Sequence, residues 1–282
     1  MITDDQTSIL YLSGLLPKRF PKFFAEFELI LIEYGINYDL LPETKDIWVR
    51  DFMPVQVNPN LFIKFVYDPS YLKFKKWAKT RTDTTTVCDA IKLTTLVSDI
   101  ILDGGNIVRS ASKVILCDRI FAENPTKSEM ELLHIIKNTL QVDQLIIIPT
   151  QPGDILGHAD GLVRFYNDNT VLVSALSKED KTYQRNLSMA LYNAGLETYT
   201  IPYNIYTNKS SLDATGCYTN FLQMKDIIII PTFGLPEDAM VLEQVQGLYP
   251  GISVRQIDCR ELAKEGGVLN CVTWTTCGND EY

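Results

Sequence analysis

A weak internal repeat constrains the fold of this chain more than any other feature. A short strand-like run that carries polar residues recurs five times, at residues 47–57, 102–110, 157–165, 217–224 and 266–274. The spacings between matching polar positions are 55, 54, 60 and 51 residues, counted along Asp51, Asn106, Asp160, Asn220 and Cys271. Residue identity between the runs is almost absent, so position within the unit is what recurs. An even period of this kind predicts several copies of one structural unit.

Each middle repeat continues in the same order. A second strand is predicted from runs rich in β-branched residues, at 114–117, 170–175 and 227–233. A helix follows at 127–140, 178–195 and 238–251, and the second of these ends at Gly195, a typical helix stop. A third strand is predicted at 145–150, 198–203 and 253–258. The unit therefore reads strand, strand, helix, strand.

The fifth unit is split between the two ends of the chain. Its first strand lies at 266–274, whereas a strand at 9–13, a helix at 21–35 and a strand at 36–41 come from the N-terminal end. Pairing these segments would close a ring and remove exposed sheet edges. We therefore predict an α/β fold, a five-bladed ββαβ propeller with pseudo-fivefold symmetry, closed by the N- and C-terminal segments. We expect residues 1–282 to form one domain.

A closed ring would bring the polar residues of the repeats together. The first strands of all blades line the central axis of a propeller, so side chains at equivalent positions converge on one pocket. The convergent set is predicted to be Arg50, Asp51, Asp103, Asn106, His158, Asp160, Asn220 and Cys271.

Cys271 and His158 are the candidates for nucleophile and proton carrier. Two glycines precede Cys271 and allow close approach of a ligand to the backbone. A cysteine nucleophile requires a lowered pKa or a neighbouring base, and histidine suits proton transfer. On a strand, His158 and Asp160 would point to the same face. The alternatives are a structural cysteine in an apolar strand and a histidine that is hydrogen-bonded to a turn.

Asp51 and Asp160 are acidic residues in otherwise apolar surroundings. Two carboxylates in one pocket suit a planar cation, since each accepts two parallel N–H bonds from a guanidinium group. For Asp51 the alternative is a structural ion pair with Arg50. Adjacent residues on a strand point to opposite faces, which argues against that pair.

Five further residues are candidates for contacts with a ligand. Trp48 offers an apolar or cation–π wall, or it is a core tryptophan. Asn106 and Asn220 bind a ligand or tie strands together, and Asp154 reaches the pocket from a loop or only forms a turn. Arg50 completes the set because it lies beside Asp51 at the predicted axis.

Composition limits the partners. The net charge of −9 disfavours nucleic acids and anionic membranes and suits a cationic ligand. No apolar run reaches the length of a membrane span and no secretory signal is recognisable, so we expect a cytoplasmic protein.

We read most of the six cysteines as reduced structural residues. No zinc or phosphate-loop pattern is present, and we expect no metal and no organic cofactor. A homodimer is one assembly that the sequence leaves open.

The ordered motifs resemble a known family. WVRDFMP, DGGN, GHADG, CYTNF ahead of IIIIPTFG, and GGVLNCVTW occur in one order with suitable spacing between about residues 46 and 276. The chain resembles the agmatine deiminase and Porphyromonas-type peptidylarginine deiminase family of the guanidino-group-modifying (pentein) superfamily. The resemblance implies a five-bladed ββαβ propeller, in agreement with the repeat.

The resemblance also implies residue roles. Asp51 and Asp160 would hold a guanidinium group, Cys271 would attack its central carbon, and His158 would protonate the departing ammonia. Water activated by His158 would then release a ureido product from a covalent thiouronium intermediate. The family's Y-x-N asparagine falls on Asn220.

The substrate remains open at this stage. The expected substrate is a small cationic guanidine compound such as agmatine, and the alternatives are peptidyl-arginine, amidino transfer to an amine, or guanidine binding without turnover. Agmatine deiminases usually carry histidine before the cysteine, whereas this chain has Asn270, and they are generally longer.

Overall fold

Five three-stranded sheets follow one another along the described part of the chain. The computed structural model describes residues 1–206 and 208–278. The strands are β1 (Ile9–Ser13), β2 (Asn37–Leu41), β3 (Val55–Asn58), β4 (Leu61–Val66), β5 (Leu96–Ile101), β6 (Val108–Arg109), β7 (Lys113–Cys117), β8 (Gln144–Ile148), β9 (Val163–Asn167), β10 (Thr170–Ser174), β11 (Glu197–Ile201), β12 (Leu222–Gln223), β13 (Ile227–Thr232), β14 (Ser253–Asp258) and β15 (Thr273–Thr276).

Helices cover the outer faces of the sheets and form the turns near the axis. They are α1 (Leu16–Arg19), α2 (Pro21–Glu33), α3 (Val49–Phe52), α4 (Thr84–Ala90), α5 (Arg119–Glu123), α6 (Glu129–Leu140), α7 (Lys181–Asn193), α8 (Glu237–Leu248), α9 (Arg260–Ala263) and α10 (Leu269–Val272). Short 3₁₀ helices occur at Asp4–Gln6, Ser70–Lys73, Gly104–Asn106 and Ala159–Gly161.

Every sheet has the same internal pattern. The middle strand pairs antiparallel with the first strand and parallel with the third, as in β6–β7–β8 and β9–β10–β11. A parallel pair needs a crossover, and the helix between the second and third strands supplies it. The predicted order of strand, strand, helix, strand is thus confirmed. The boundaries of the second strand, the helix and the third strand agree within a few residues, whereas the first strand begins later than predicted.

The ring closes where the two ends of the chain meet. β15 pairs antiparallel with β1, and β1 pairs parallel with β2, so the fifth sheet combines both termini. The indole of Trp274 on β15 donates to the carbonyl oxygen of Pro54 at 2.7 Å and ties this sheet to the next one. The predicted α/β propeller, closed by its N- and C-terminal segments, is confirmed.

The prediction that the polar residues lie on strands is wrong. Asp51 lies in α3, Asp160 in the 3₁₀ turn Ala159–Gly161, and Cys271 in α10. The first strand of each blade begins only after this turn. A turn forms its own hydrogen bonds, such as the amide of Asn106 to the carbonyl of Asp103 at 3.0 Å, so its backbone groups need no partner at the crowded axis.

Apolar side chains fill the space between each sheet and its helix. The largest buried cluster joins α2, β1, β13 and α8, and contains fully buried residues such as Leu12, Phe27 and Ile229. Among the described residues, no helix has both the length and the apolar character that crossing a membrane requires.

The closing sheet should contribute measurably to stability. Leu12 is fully buried on β1, whereas its parallel neighbour Leu40 on β2 is 43% exposed. We expect Leu12→Ala to lower the free energy of unfolding by about 2–5 kcal/mol, because it leaves a cavity in the core. Leu40→Ala is the matched control and should change it by less than about 1 kcal/mol. Urea unfolding measures both, and equal losses would contradict this account of the core.

Candidate active site

His158 lies between two carboxylates near the axis. Its Nε2 atom is 3.1 Å from Oδ2 of Asp103, and its Nδ1 atom is 3.7 Å from Oδ1 of Asp51. Oδ2 of Asp103 also accepts a hydrogen bond of 2.9 Å from the hydroxyl of Tyr71. Since Asp103 holds Nε2, Nδ1 is the ring nitrogen that remains to exchange a proton with a ligand.

Opposing effects set the charges of His158 and Asp51. Burial lowers the pKa of His158, but Asp51, Asp103 and Asp160 together raise it to about 10. Burial raises the pKa of Asp51 to about 7, although the neighbouring His158 works against that rise. At neutral pH His158 is therefore an imidazolium, and Asp51 is only partly ionised.

Cys271 lies at the last helical turn, next to Asn220 and Asp160. Its thiol is 3.3 Å from Oδ1 of Asn220 and 3.8 Å from Oδ2 of Asp160, and its amide also donates to Oδ1 of Asn220 at 3.3 Å. Burial raises the pKa of the Cys271 thiol well above its usual value, and the charges of Asp160 and Asp51 raise it further. In the free protein Cys271 is thus a neutral thiol.

Asp160 and Asp51 offer acceptor oxygens to the space between them. Oδ2 of Asp160 accepts a 2.7 Å hydrogen bond from the amide of Asn270, and burial raises the pKa of Asp160. Oδ1 of Asp51 is buried and has no hydrogen-bond partner within the described residues. A buried acceptor of this kind is costly unless a ligand donates to it.

Two glycines make room for this arrangement. A Cβ atom on Gly105 would lie 2.6 Å from both Oδ1 of Asp51 and Nδ1 of His158. A Cβ atom on Gly267 would lie 2.6 Å from the ring of Trp48 and 3.0 Å from Cβ of Cys271. The glycines of the DGGN and GGVLNC motifs are therefore required by close packing around the site.

The site opens into two cavities, which we call the larger arm and the aromatic arm. Cys271 and His158 line both. The larger arm has a volume of about 190 Å³ and extends past Asp154, Tyr203 and Asp213. The aromatic arm has about 60 Å³ and is lined by side chains that include Trp48, Tyr67, Tyr71 and Trp77. Within the described ranges, no lysine or arginine lines either arm.

The structure places most of the predicted residues around these arms. Cys271 and His158 line both arms, whereas Asp51 lines the aromatic arm and Asp160 the larger arm. Asn220 accepts a hydrogen bond from the thiol of Cys271. Trp48 lines the aromatic arm. Asp154 lines the larger arm, and its Oδ1 atom also accepts from the amide of Leu156 at 2.8 Å. Their roles toward a ligand remain predictions.

Two predicted ligand contacts lie elsewhere. Arg50 lines a different cavity, because successive residues of a helical turn point in directions about 100° apart, and so it diverges from Asp51. Asn106 does not line either arm. Its amide binds both main-chain groups of Cys117, so it ties its turn to β7.

Sequence reasoning gave no role to three residues of the site. Asp103 belongs to the convergent set, and its place in the DGGN motif was the available signal. Tyr71 lies in the segment between β4 and α4, outside the repeat, so no pattern indicated it. Asn270 appeared only as a departure from the family motif, yet it donates to Asp160.

The other cysteines take no part in disulfides. All six are free, and all six are buried. Among the described residues, no group of three or more His, Cys, Asp or Glu side chains is arranged to hold a metal ion.

Comparison with known proteins places the chain in a family. The sequence profile described as Porphyromonas-type peptidyl-arginine deiminase matches residues 26–276. The chain belongs to this family. All the site residues described above lie within the matched range.

Individual family relatives are distant. An agmatine deiminase of Pseudomonas aeruginosa is 23% identical over 208 residues, covering 62% of this chain and 56% of the relative. The chain thus spans little more than half the length of this curated relative. The solved agmatine deiminases of C. jejuni and Enterococcus faecalis share the fold, with TM-scores of 0.80 and 0.78 at 17% and 15% identity. Each covers 98% of this chain, and 95% and 94% of the respective solved chains align.

The charge of His158 should depend on Asp103. Asp103→Asn removes a negative charge and an acceptor of Nε2, both of which raise the pKa of His158. We expect the pKa of His158 to fall by about 1–3 units. An NMR titration of the imidazole ring measures it, and the chain has only two histidines to assign. Asp99→Asn, at an exposed carboxylate paired with Lys127, is the control. An unchanged pKa in Asp103→Asn would contradict the pairing.

Proposed function

We propose that this protein is a deiminase that hydrolyses the guanidinium group of a small cationic substrate such as agmatine, giving a ureido product and ammonia. The observation that carries the proposal is the buried thiol and imidazolium of Cys271 and His158, which line both arms, together with one carboxylate in each arm, Asp51 in the aromatic arm and Asp160 in the larger arm. Membership of a deiminase family and the shared fold of solved agmatine deiminases support it.

The carboxylates would orient the guanidinium group. Asp51 presents a buried oxygen without a hydrogen-bond partner, and guanidinium N–H groups are donors of the required kind. Asp160 lies 3.8 Å from Sγ of Cys271, so a group bonded to Asp160 has its central carbon near the sulfur. Proximity of this kind turns the attack into an intramolecular step.

Substrate binding would also prepare the thiol. The charges of Asp160 and Asp51 raise the pKa of Cys271, and a bound cation offsets them. The thiol then passes its proton to solvent water, and the thiolate sulfur attacks the central carbon of the guanidinium group while His158 keeps its own proton for the departing nitrogen. The free protein avoids a buried thiolate beside carboxylates, because the nucleophile forms only when the cation is present.

His158 would carry the protons in both halves of the reaction. As an imidazolium it donates a proton to the departing nitrogen, which leaves as ammonia, and a thiouronium remains on Cys271. Neutral His158 then takes a proton from water, and the hydroxide adds to the thiouronium carbon. Expulsion of the Cys271 sulfur releases the ureido product.

The larger arm favours a cationic tail. Asp154 and Asp213 line it, and within the described residues no lysine or arginine is present there to bind a carboxylate. The tail of agmatine ends in an ammonium group, whereas free arginine adds a carboxylate. A carboxylate in this arm would face like charges without a partner.

Ammonia release from guanidine compounds tests the reaction. We expect agmatine to be hydrolysed with kcat/KM at least about 100-fold above that of free arginine, because of the acidic arm. Cys271→Ala should lower the rate by about 10⁴-fold or more. Cys88→Ala, at a buried cysteine outside the site, is the matched control and should retain activity.

The same assay distinguishes the alternatives. Arginyl peptides test peptidyl-arginine as substrate, and a new guanidine instead of a urea among the products would indicate amidino transfer. Ligand binding without turnover of any compound, in folded protein with Cys271 intact, would refute the deiminase.

The pH dependence of kcat/KM follows from the two shifted groups. Asp51 must be ionised to hold the cation, so activity should fall as the pH drops below about 7. His158 must be protonated to release ammonia, so activity should fall as the pH rises past about 10. Asp103→Asn should move the alkaline limb to lower pH. A rate that stays constant well below neutral pH would contradict the role of Asp51.

A further inference from the structure

A further cavity, separate from the two arms, lies behind the candidate active site. Its volume is about 310 Å³, larger than either arm, and three arginines line it, Arg50, Arg109 and Arg164. We call it the arginine cavity. Asp160 lines both this cavity and the larger arm, so it forms part of the wall between them.

One carboxylate contacts two of the three arginines. Asp4, in the N-terminal 3₁₀ turn, pairs with Arg164 and lies 3.4 Å from Nη2 of Arg109. Arg50 forms no ion pair with any described residue, and its Nε atom donates to the carbonyl oxygen of Asn270 at 3.3 Å. Burial lowers the pKa of Arg50 to about 10, and the positive charges of Arg109 and Arg164 add to this effect, whereas the charges of Asp4 and Asp160 oppose it.

Arg164 retains an unused donor. Its Nη1 atom donates to the carbonyl oxygen of Phe221 at 2.6 Å, and its guanidinium carbon lies 4.1 Å from the centre of the Phe221 ring. Arg164 is 6% exposed, and its Nε atom is buried without a hydrogen-bond partner among the described residues. Buried guanidinium donors are normally satisfied. Because this Nε atom has no solvent exposure, a ligand in the cavity would be bound by other guanidinium donors of the three arginines.

We propose that the arginine cavity binds a small singly charged carboxylate. Guanidinium groups and carboxylates match in shape and form paired N–H···O bonds, and Asp4 already occupies part of the cluster in this way. Asp5, Asp160 and Asp168 also line the cavity, so with Asp4 its wall carries four carboxylates beside three guanidinium groups. They would repel a doubly charged anion such as phosphate more strongly than a singly charged one. The site therefore fits a monocarboxylate better than a phosphate.

A bound carboxylate would act on the candidate active site through Asp160. Arg50 contacts the main chain of Asn270, and Asn270 donates to Oδ2 of Asp160 at 2.7 Å. Negative charge behind Asp160 would offset Arg50 and strengthen the attraction for a cationic substrate in the larger arm. This coupling, but not the binding itself, rests on the proposed deiminase function. Coupling between two binding sites is reciprocal. The substrate must therefore tighten carboxylate binding by the same factor by which the carboxylate tightens substrate binding.

The test of binding uses acetate, inorganic phosphate and chloride at equal ionic strength. Isothermal titration calorimetry and thermal unfolding of the full chain should show saturable binding of acetate, with an increase in Tm of about 2–4 °C near saturation. Chloride should produce no saturable response. Preferential binding of phosphate would overturn the assignment of a monocarboxylate.

Variants locate the site. Arg109→Gln should abolish the acetate response, and Arg185→Gln, which removes an exposed arginine from α7, should leave it unchanged. Asp4→Asn removes the carboxylate that competes for the arginines, so it should tighten acetate binding. An acetate response that persists in Arg109→Gln, or a wild-type response no greater than that to chloride, would overturn the proposal.

Steady-state kinetics test the coupling separately. Saturating acetate should lower KM for agmatine about fivefold with unchanged kcat, and Arg109→Gln should lose this effect. An unchanged KM in protein that binds acetate would overturn the coupling. Absence of turnover in protein that binds acetate would refute the deiminase and leave the carboxylate site supported by calorimetry.

Discussion

The pairing of β1 with β15 is the constraint on which the rest of the structure depends. It joins the two ends of the chain into one sheet and thereby closes a ring of five. Only in a closed ring do the turns that precede the first strands face one another. Asp51, His158 and Cys271 are far apart in sequence, and they share one cavity because of this closure.

Burial of acidic groups gives the site its chemical character. Asp51, Asp103 and Asp160 lie around a single imidazole, and each is less than a tenth exposed. The carboxylates outnumber the imidazolium, so a cation completes the charge balance. In the proposed function, the same environment that is electrostatically unfavourable in the free protein selects a guanidinium and prepares the thiol. Buried like charges that lower stability in this way are expected at functional sites.

The sequence predicted the blades better than the axis. Strand and helix boundaries agreed closely, as for β14 and β1, because apolar periodicity and β-branched runs are local signals. The axial turns were wrongly read as strands, because four of them are single helical turns and the one before β12 is a non-helical turn, and segments this short show no periodicity. Arg50 was placed in one pocket with Asp51 because the two are adjacent in the sequence, whereas the turn directs Arg50 into the arginine cavity.

The sequence by itself determined the repeat, the ring and the set of candidate reactive side chains. The position of each residue within its unit and the type of that residue can both be read directly from the sequence. The tertiary structure decided how these side chains are paired. Asp103 as the partner of Nε2, Tyr71 as the donor to Asp103, and Asn270 as the link from Asp160 to Arg50 all depend on contacts between blades. Such contacts join residues from different units, and no local pattern records them.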